Sequence, residues 1–286
     1  MRRTARAAVG GLGAFLLVGC TTIGPPAQSA SPVPPSRSVT KAVSPTSPAP
    51  STVAPVTWKV GARPLPLRPD GFGEVQPTPP ELVNRSLPTH DFLPPPPGDA
   101  FASRVGPVPA DVLARSTWQP ACPVEASELS YVQVSFWGFD RHAHTGELLV
   151  ARTGAQAVVQ VFGRLFALRF PIEEMRITAP AELAAAPTGD GNDTSAFVCR
   201  PVRGQGNWSA HAYGLAVDLN PFCNPYTKGD LVLPELASAY VDRGTVRPGM
   251  VLPGGDVVRA FAAVGWSWGG DWTSPTDRMH FSANGQ

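Results

Sequence analysis

Two imidazoles and a carboxylate recur in this chain with the spacing of ligands to one metal ion. The first two lie in 209-SAHAYGLAVDLNP-221, where His211 and Asp218 are seven residues apart with Gly214 between them. The third, His280, falls near the C-terminus in 277-DRMH-280. Two neutral imidazole nitrogens and one carboxylate oxygen make up the protein's share of an open catalytic zinc site, whose fourth position is left to water. Calcium would ask for many more oxygens. A turn at Gly214 would let His211 and Asp218 meet at one point. Asp277 stands three residues before His280. A carboxylate there can act on the water without binding the metal, first as general base and then as acid to a leaving amine.

Blander roles compete at each neighbouring position. Asp277 has the alternative of capping a turn after Pro275. Ser209 reads as a loop-orienting hydroxyl, because no base is placed to activate it as a nucleophile. Asp271, in 268-WGGDW-272, reads as a group that fixes the loop or a ligand histidine. Trp268 and Trp272 suit either a cleft wall or the core. Of the five histidines, His144 reads as a hydrogen-bonded hairpin residue, and His90 and His142 as solvent-facing.

The stretch 209-SAHAYGLAVD-218 matches the pattern S-x-H-x-x-G-x-A-x-D, and 268-WGGDW-272 is followed by 277-DRMH-280. Together they resemble the zinc D-alanyl-D-alanine carboxypeptidase family, which includes vancomycin-resistance dipeptidases and carboxypeptidases and phage L-alanyl-D-glutamate endolysins. The likeness runs over about residues 120–284, and 137-WGFD-140, 144-HTGEL-148 and 194-TSAFVCR-200 share in it. It implies one zinc ion held by His211, Asp218 and His280, with Asp277 as the catalytic carboxylate. It also implies that Arg200 binds a substrate carboxylate or the developing oxyanion, a task suited to a planar, permanently charged fork. A structural ion pair is the other reading of Arg200. Ser195 is implied as a further substrate contact. Val198 and Leu215 depart from the polar or basic residues common in relatives, which bears on substrate preference.

The elements that must position these groups are legible in outline. Residues 130–139 alternate as a strand, 146–151 offer a second, and 140–145 form the loop between them. A helix over 154–168 places Val158, Phe162, Leu165 and Phe166 on one face. Short strands are expected at 175–178, 214–220 and 279–283, and a second helix at 256–265, ended by Gly265. The fold class is α+β, an antiparallel sheet with flanking helices. The resemblance implies the hedgehog/D-Ala-D-Ala-peptidase-like zinc fold.

Composition divides the chain. Residues 1–20 read as a lipoprotein signal peptide: a basic start, a short apolar run and the lipobox-like Leu17-Val18-Gly19-Cys20, with Cys20 acylated. The run is shorter than the ~20 apolar residues of a spanning helix. Residues 21–109 hold 22 of the 34 prolines, so 21–70 are expected to be a disordered tether. Residues 71–119 read as a partly ordered Pro-rich arm, and 120–286 as the zinc peptidase domain, with folded structure beginning near residue 100. Of the remaining cysteines, Cys122–Cys199 is the preferred disulfide, because a bond at Cys223 would constrain the loop after Asp218.

The net charge of +1 and the absence of a basic stripe argue against nucleic acid. The expected partners are peptidoglycan stem peptides and, through the N-terminal lipid, the membrane, with the chain a monomer on the outer face of the cytoplasmic membrane. The expected activity is D-Ala-D-Ala carboxypeptidase-type hydrolysis through a zinc-activated water. L-alanyl-D-glutamate-type endopeptidase cleavage and a non-catalytic zinc domain that binds the wall stay open beside it.

Overall fold

A computed structural model describes residues 58–202 and 205–285. The expected signal peptide with Cys20, and the expected tether as far as residue 57, lie outside the described residues.

Helix α1 (Pro80–Val83), strand β1 (Ser103–Gly106) and helix α2 (Ala110–Arg115) come first, all within the expected arm. Strands β2 (Leu129–Trp137) and β3 (Ala143–Ala151) then form a long hairpin, followed by helix α3 (Ala155–Ala167). Strands β4 (Glu174–Met175), β5 (Asp193–Thr194), β6 (Ala216–Asp218), β7 (Tyr226–Lys228) and β8 (Leu231–Leu233) are all short. Helix α4 (Asp256–Ala262) and strands β9 (Ser267–Trp268), β10 (Thr276–Asp277) and β11 (His280–Ser282) complete the order.

The expected antiparallel sheet is divided into three, ordered β1-β2-β3, β10-β7-β8 and β6-β11-β9, and β4 pairs with β5 in parallel. Division follows from composition. After α3 the chain is rich in Gly and Pro, and no run of alternating residues is long enough to extend the first sheet.

The hairpin starts its second strand earlier than expected, at Ala143. His144 looks like a loop residue by type, yet it is buried opposite Phe136, with one ring nitrogen 2.8 Å from Asp91 Oδ1 and the other 3.1 Å from Asp140 Oδ1. A buried polar side chain that is fully hydrogen-bonded can sit within a strand. Helix α3 buries Ala155, Val158, Val161, Phe162, Leu165 and Phe166, the three-to-four spacing of an amphipathic helix. These pack with Val132, Val134 and Phe136 from β2, Phe261 from α4, and Val217, Trp268 and Phe281 from the sheet of β6, β11 and β9. Each fully buried Val, Leu or Phe among them contributes about 1.5–3 kcal/mol. The main core therefore underlies β6 and β11 directly.

The boundary of the expected tether needs correction. Residues 58–70 lie against the domain: Trp58 Nε1 donates to Asp190 Oδ2 at 2.8 Å, Leu65 N to the Pro187 carbonyl at 2.8 Å, and Arg68 pairs with Asp230 at 3.1 Å. Proline there does not signal disorder, because a few apolar and charged anchors suffice to hold extended chain. Farther along the arm, Leu82, Arg85 and Leu87 are buried.

Cys122 and Cys199 form a disulfide, and Cys223 is a buried free thiol. Burial, then the charge of Glu173, pushes the Cys223 thiol up to about 12. A group raised so far stays protonated at neutral pH, where the thiol is a poor nucleophile. Iodoacetamide at pH 8 is therefore expected to spare Cys223 in the native protein and to alkylate it fully after denaturation, as read by peptide mass. Rapid labelling of the native state would contradict the packing around it.

Candidate metal and catalytic site

The turn that carries His211 is built from its own sequence. Ser209 caps the short 3-10 helix Ala210–Tyr213, its hydroxyl accepting from the His211 amide at 3.4 Å. Gly214 ends the turn at φ 66, a left-handed conformation that favours glycine. A Cβ at Gly214 would also collide with the Ala151 amide of β3. Both constraints demand glycine, and together they deliver the chain into β6.

Asp218 and His280 are direct partners in the antiparallel register of β6 and β11. Side chains of such a pair share one face and lie close together. His280 Nδ1 stands 3.0 Å from Asp218 Oδ1, and His211 Nε2 lies 3.2 Å from His280 Nδ1 and 3.3 Å from Asp218 Oδ1. Both rings are buried and Asp218 is partly exposed. Among the described residues this is the group of three or more His, Cys, Asp or Glu with donor atoms converged tightly enough for a metal ion.

The tautomer of His211 follows from its partners. Its Nδ1 lies 2.6 Å from the Ala196 carbonyl, which can only accept. Nδ1 therefore carries a proton, and whenever the ring is neutral the lone pair of Nε2 is the one free to bind a metal. A carbonyl that fixes the outer nitrogen of a ligand imidazole is a recurrent feature of metal sites. The donor set of two imidazole nitrogens and one carboxylate oxygen fits zinc.

Burial by itself favours the neutral acid at Asp218, but the charges and hydrogen bonds of His211 and His280 outweigh it and hold the carboxyl well below the usual carboxylate range. Asp277, on β10, behaves in the opposite way. Burial, and then the charge of Asp218, push it up to about 7, while His280 and Arg200 pull against them. Asp277 Oδ1 is buried without a hydrogen-bond partner. A carboxyl so poised can take up a proton and return it near neutral pH. The Met279 amide also donates a hydrogen bond to the Asp277 carboxyl and pulls its pKa down, so a turn-capping contact is present beside this poise.

Arg200 is exposed, with Nη1 3.3 Å from the Pro201 carbonyl, and its charge reaches Asp277. It forms no ion pair among the described residues. Ser195 borders the site through its backbone: Ser195 N donates to the Asp218 carbonyl at 3.1 Å, and Asp218 N to the Ser195 carbonyl at 2.9 Å. Its hydroxyl makes no hydrogen bond among the described residues. Asp271 is exposed. Trp268 belongs to the core, its Nε1 donating to the Arg278 carbonyl, whereas the Trp272 ring stands 5.5 Å from that of His280.

Tyr226 escapes a reading of sequence. It lies directly opposite Asp277 in the register of β7 and β10, so the two side chains share a face, and its phenol is raised by burial and by the Asp277 charge. Nothing in 225-PYT-227 marks it, because the signal is a strand register.

Residues 203–283 match the model of a family described as D-alanyl-D-alanine carboxypeptidase. That segment contains His211, Asp218, Asp277 and His280 and spans under a third of the chain. No curated protein matches the chain, and no solved structure does.

Proposed function

We propose that the chain is a zinc-dependent peptidase that hydrolyses peptidoglycan stem peptides, removing terminal D-alanine. The observation that carries this reading is the convergence of three electron-pair donors from His211, Asp218 and His280 beside the buried carboxyl of Asp277, whose Oδ1 is left without a partner. The family match over residues 203–283 supports a peptidase acting on cell-wall peptides. The antiparallel sheet of β6, β11 and β9 is compatible with the zinc fold of that family.

Zinc bound there would polarise the scissile carbonyl and lower the pKa of water toward ~7. The protein's own groups do the rest. Asp277 takes the proton of the attacking water at a carboxylate oxygen and then hands it to the departing amine. Arg200 at the rim offers a permanent cation to a substrate carboxylate or to the developing oxyanion. Trp272 walls the side next to His280. The Ala196 carbonyl keeps His211 in the tautomer that points a lone pair inward. The proposal also places the chain on the outer face of the cytoplasmic membrane, anchored by lipid at Cys20, a placement supported by the export signal and the Pro-rich stretch after it.

Incubating the full chain with disaccharide-pentapeptide muropeptides should release D-alanine, seen by mass, and a chelator should stop the reaction until zinc is restored. Cleavage between L-alanine and D-glutamate instead would redirect the proposal to the endopeptidase. Metal binding without any product would leave a wall-binding domain.

A further inference from the structure

The turn that follows Asp218 is held by buried polar groups from outside the family-matched segment, and one of them comes from the Pro-rich arm. We infer that Arg85 is a positioning residue for the metal site, acting on Asp218 through Glu173 and Asn192. The inference rests on the metal reading proposed above.

The connection begins with a buried ion pair. Arg85 Nε and Nη2 each donate to Glu173 at 2.6 Å, a two-pronged contact between side chains that are almost fully buried. The Arg85 guanidinium also stacks 4.5 Å from the Phe222 ring, and its amide donates to the Tyr240 hydroxyl at 2.9 Å. A planar fork fits a carboxylate in one orientation, so Arg85 fixes how Glu173 lies.

From Glu173 the network reaches the turn after Asp218 at two points. At one, the Glu173 amide donates to Asn220 Oδ1 at 3.2 Å. At the other, Glu173 Oε2 accepts from Asn192 Nδ2 at 2.9 Å, and Asn192 Oδ1 in turn accepts from the Phe222 amide at 2.9 Å and the Cys223 amide at 3.4 Å. Asn220 sits two residues after Asp218 at φ 43, in the left-handed region. Asparagine tolerates that conformation, but it persists only where surrounding groups enforce it. Asn220 N donates to Thr194 Oγ1 at 3.1 Å and Nδ2 to the Pro171 carbonyl at 2.8 Å. Thr194 leads into Ser195, whose backbone pairs with Asp218 in both directions.

Asp218 lies at the very end of the three-residue β6. Its strand is too short to fix its position unaided, and the buried network supplies the missing constraint. Arg85, Glu173 and Asn192 all fall outside residues 203–283. The arm is thus part of the machinery that sets the ligand geometry.

Two variants of the full chain test this. Arg85→Lys keeps the charge but loses the fork, and Asn192→Ala leaves the ion pair while cutting the tie to the Phe222 and Cys223 amides. Both are expected to weaken zinc about 10- to 100-fold in a chelator competition, the usual scale for groups that orient metal ligands. Cobalt substituted for zinc should show an altered visible absorption spectrum. The control is Arg115→Lys, which loosens another two-pronged Arg–Glu contact, to Glu147 on β3, one whose arginine is partly exposed and whose carboxylate lies away from the 219–224 turn. It should lower the melting temperature and leave zinc affinity alone. Wild-type affinity in folded Asn192→Ala and Arg85→Lys proteins would overturn the inference, as would an equal loss in Arg115→Lys. If Arg85→Lys does not fold, Asn192→Ala decides. Zinc binding by the wild type without hydrolysis would sink the peptidase reading and leave this inference intact, whereas no zinc binding at all would sink both.

Discussion

Replacing His280 with alanine is expected to yield a folded protein that retains no zinc and hydrolyses no stem peptide. The fold should survive because the weight of β11 is carried by Phe281, stacked 3.8 Å from Phe261 and buried with Trp268 and Val217. The backbone pairing of His280 with Asp218 does not need the imidazole. What is lost is the nitrogen 3.0 Å from Asp218 and 3.2 Å from His211, leaving two donors where an open zinc site requires three. Asp218 loses one of the two groups that hold its pKa down, and its carboxyl moves up toward the ordinary range while staying ionised at neutral pH. If zinc supplies about 4 kcal/mol of charge stabilisation, its loss alone costs about a thousandfold in turnover. Zinc content after dialysis measures the first effect, release of D-alanine the second, and near-UV circular dichroism the fold. One zinc per chain in the variant would remove His280 from the ligand set.

How far the sequence foretells such a site depends on what each residue has to do. The three converged donors are legible because the chemistry limits the choice: few side chains suit a metal, and the Gly214 turn leaves its own mark between His211 and Asp218. The β2–β3 hairpin and helix α3 are legible through their periodicity, because each is long enough to repeat its apolar face. Residues 58–70 and Arg85 are not, since a Pro-rich composition looks the same whether its few anchors are docked or free. Arg85 becomes meaningful only beside Glu173, 88 residues away. Tyr226 depends on a two-residue register between β7 and β10, which no local pattern announces. Ser195, implied as a substrate contact, also meets Asp218 through its backbone, and residue type says nothing about that. The disulfide between Cys122 and Cys199 agrees with the preferred pairing. The division of the sheet into three does not follow from any strand taken singly.

Asp277→Asn separates the two functions that the site combines. Asparagine keeps the size of the side chain and removes its capacity to accept the proton of the attacking water. Zinc content should be unchanged, because the three converged donors are His211, Asp218 and His280 and Asp277 is not among them. Turnover should fall about 10²- to 10⁴-fold, the range assigned to a positioned general acid–base. KM should change little, since Arg200 and Trp272 remain. Stability should hold or rise, because Asp277 Oδ1 is buried with no partner and the variant removes a carboxylate that Asp218 repels. The pH profile gives a second readout. Catalysis needs Asp277 ionised, so wild-type activity declines as pH falls through its pKa. Burial and Asp218 push that pKa up to about 7, and a cation at the site neutralises Asp218 and draws it lower. The acid limb of the loaded enzyme should therefore lie below pH 7, and Asp277→Asn should lose that limb while keeping its zinc. A variant with full turnover, or one with an unchanged acid limb, would assign the proton transfer to another group. Tyr226, opposite Asp277 on the same face, is then the next residue to replace.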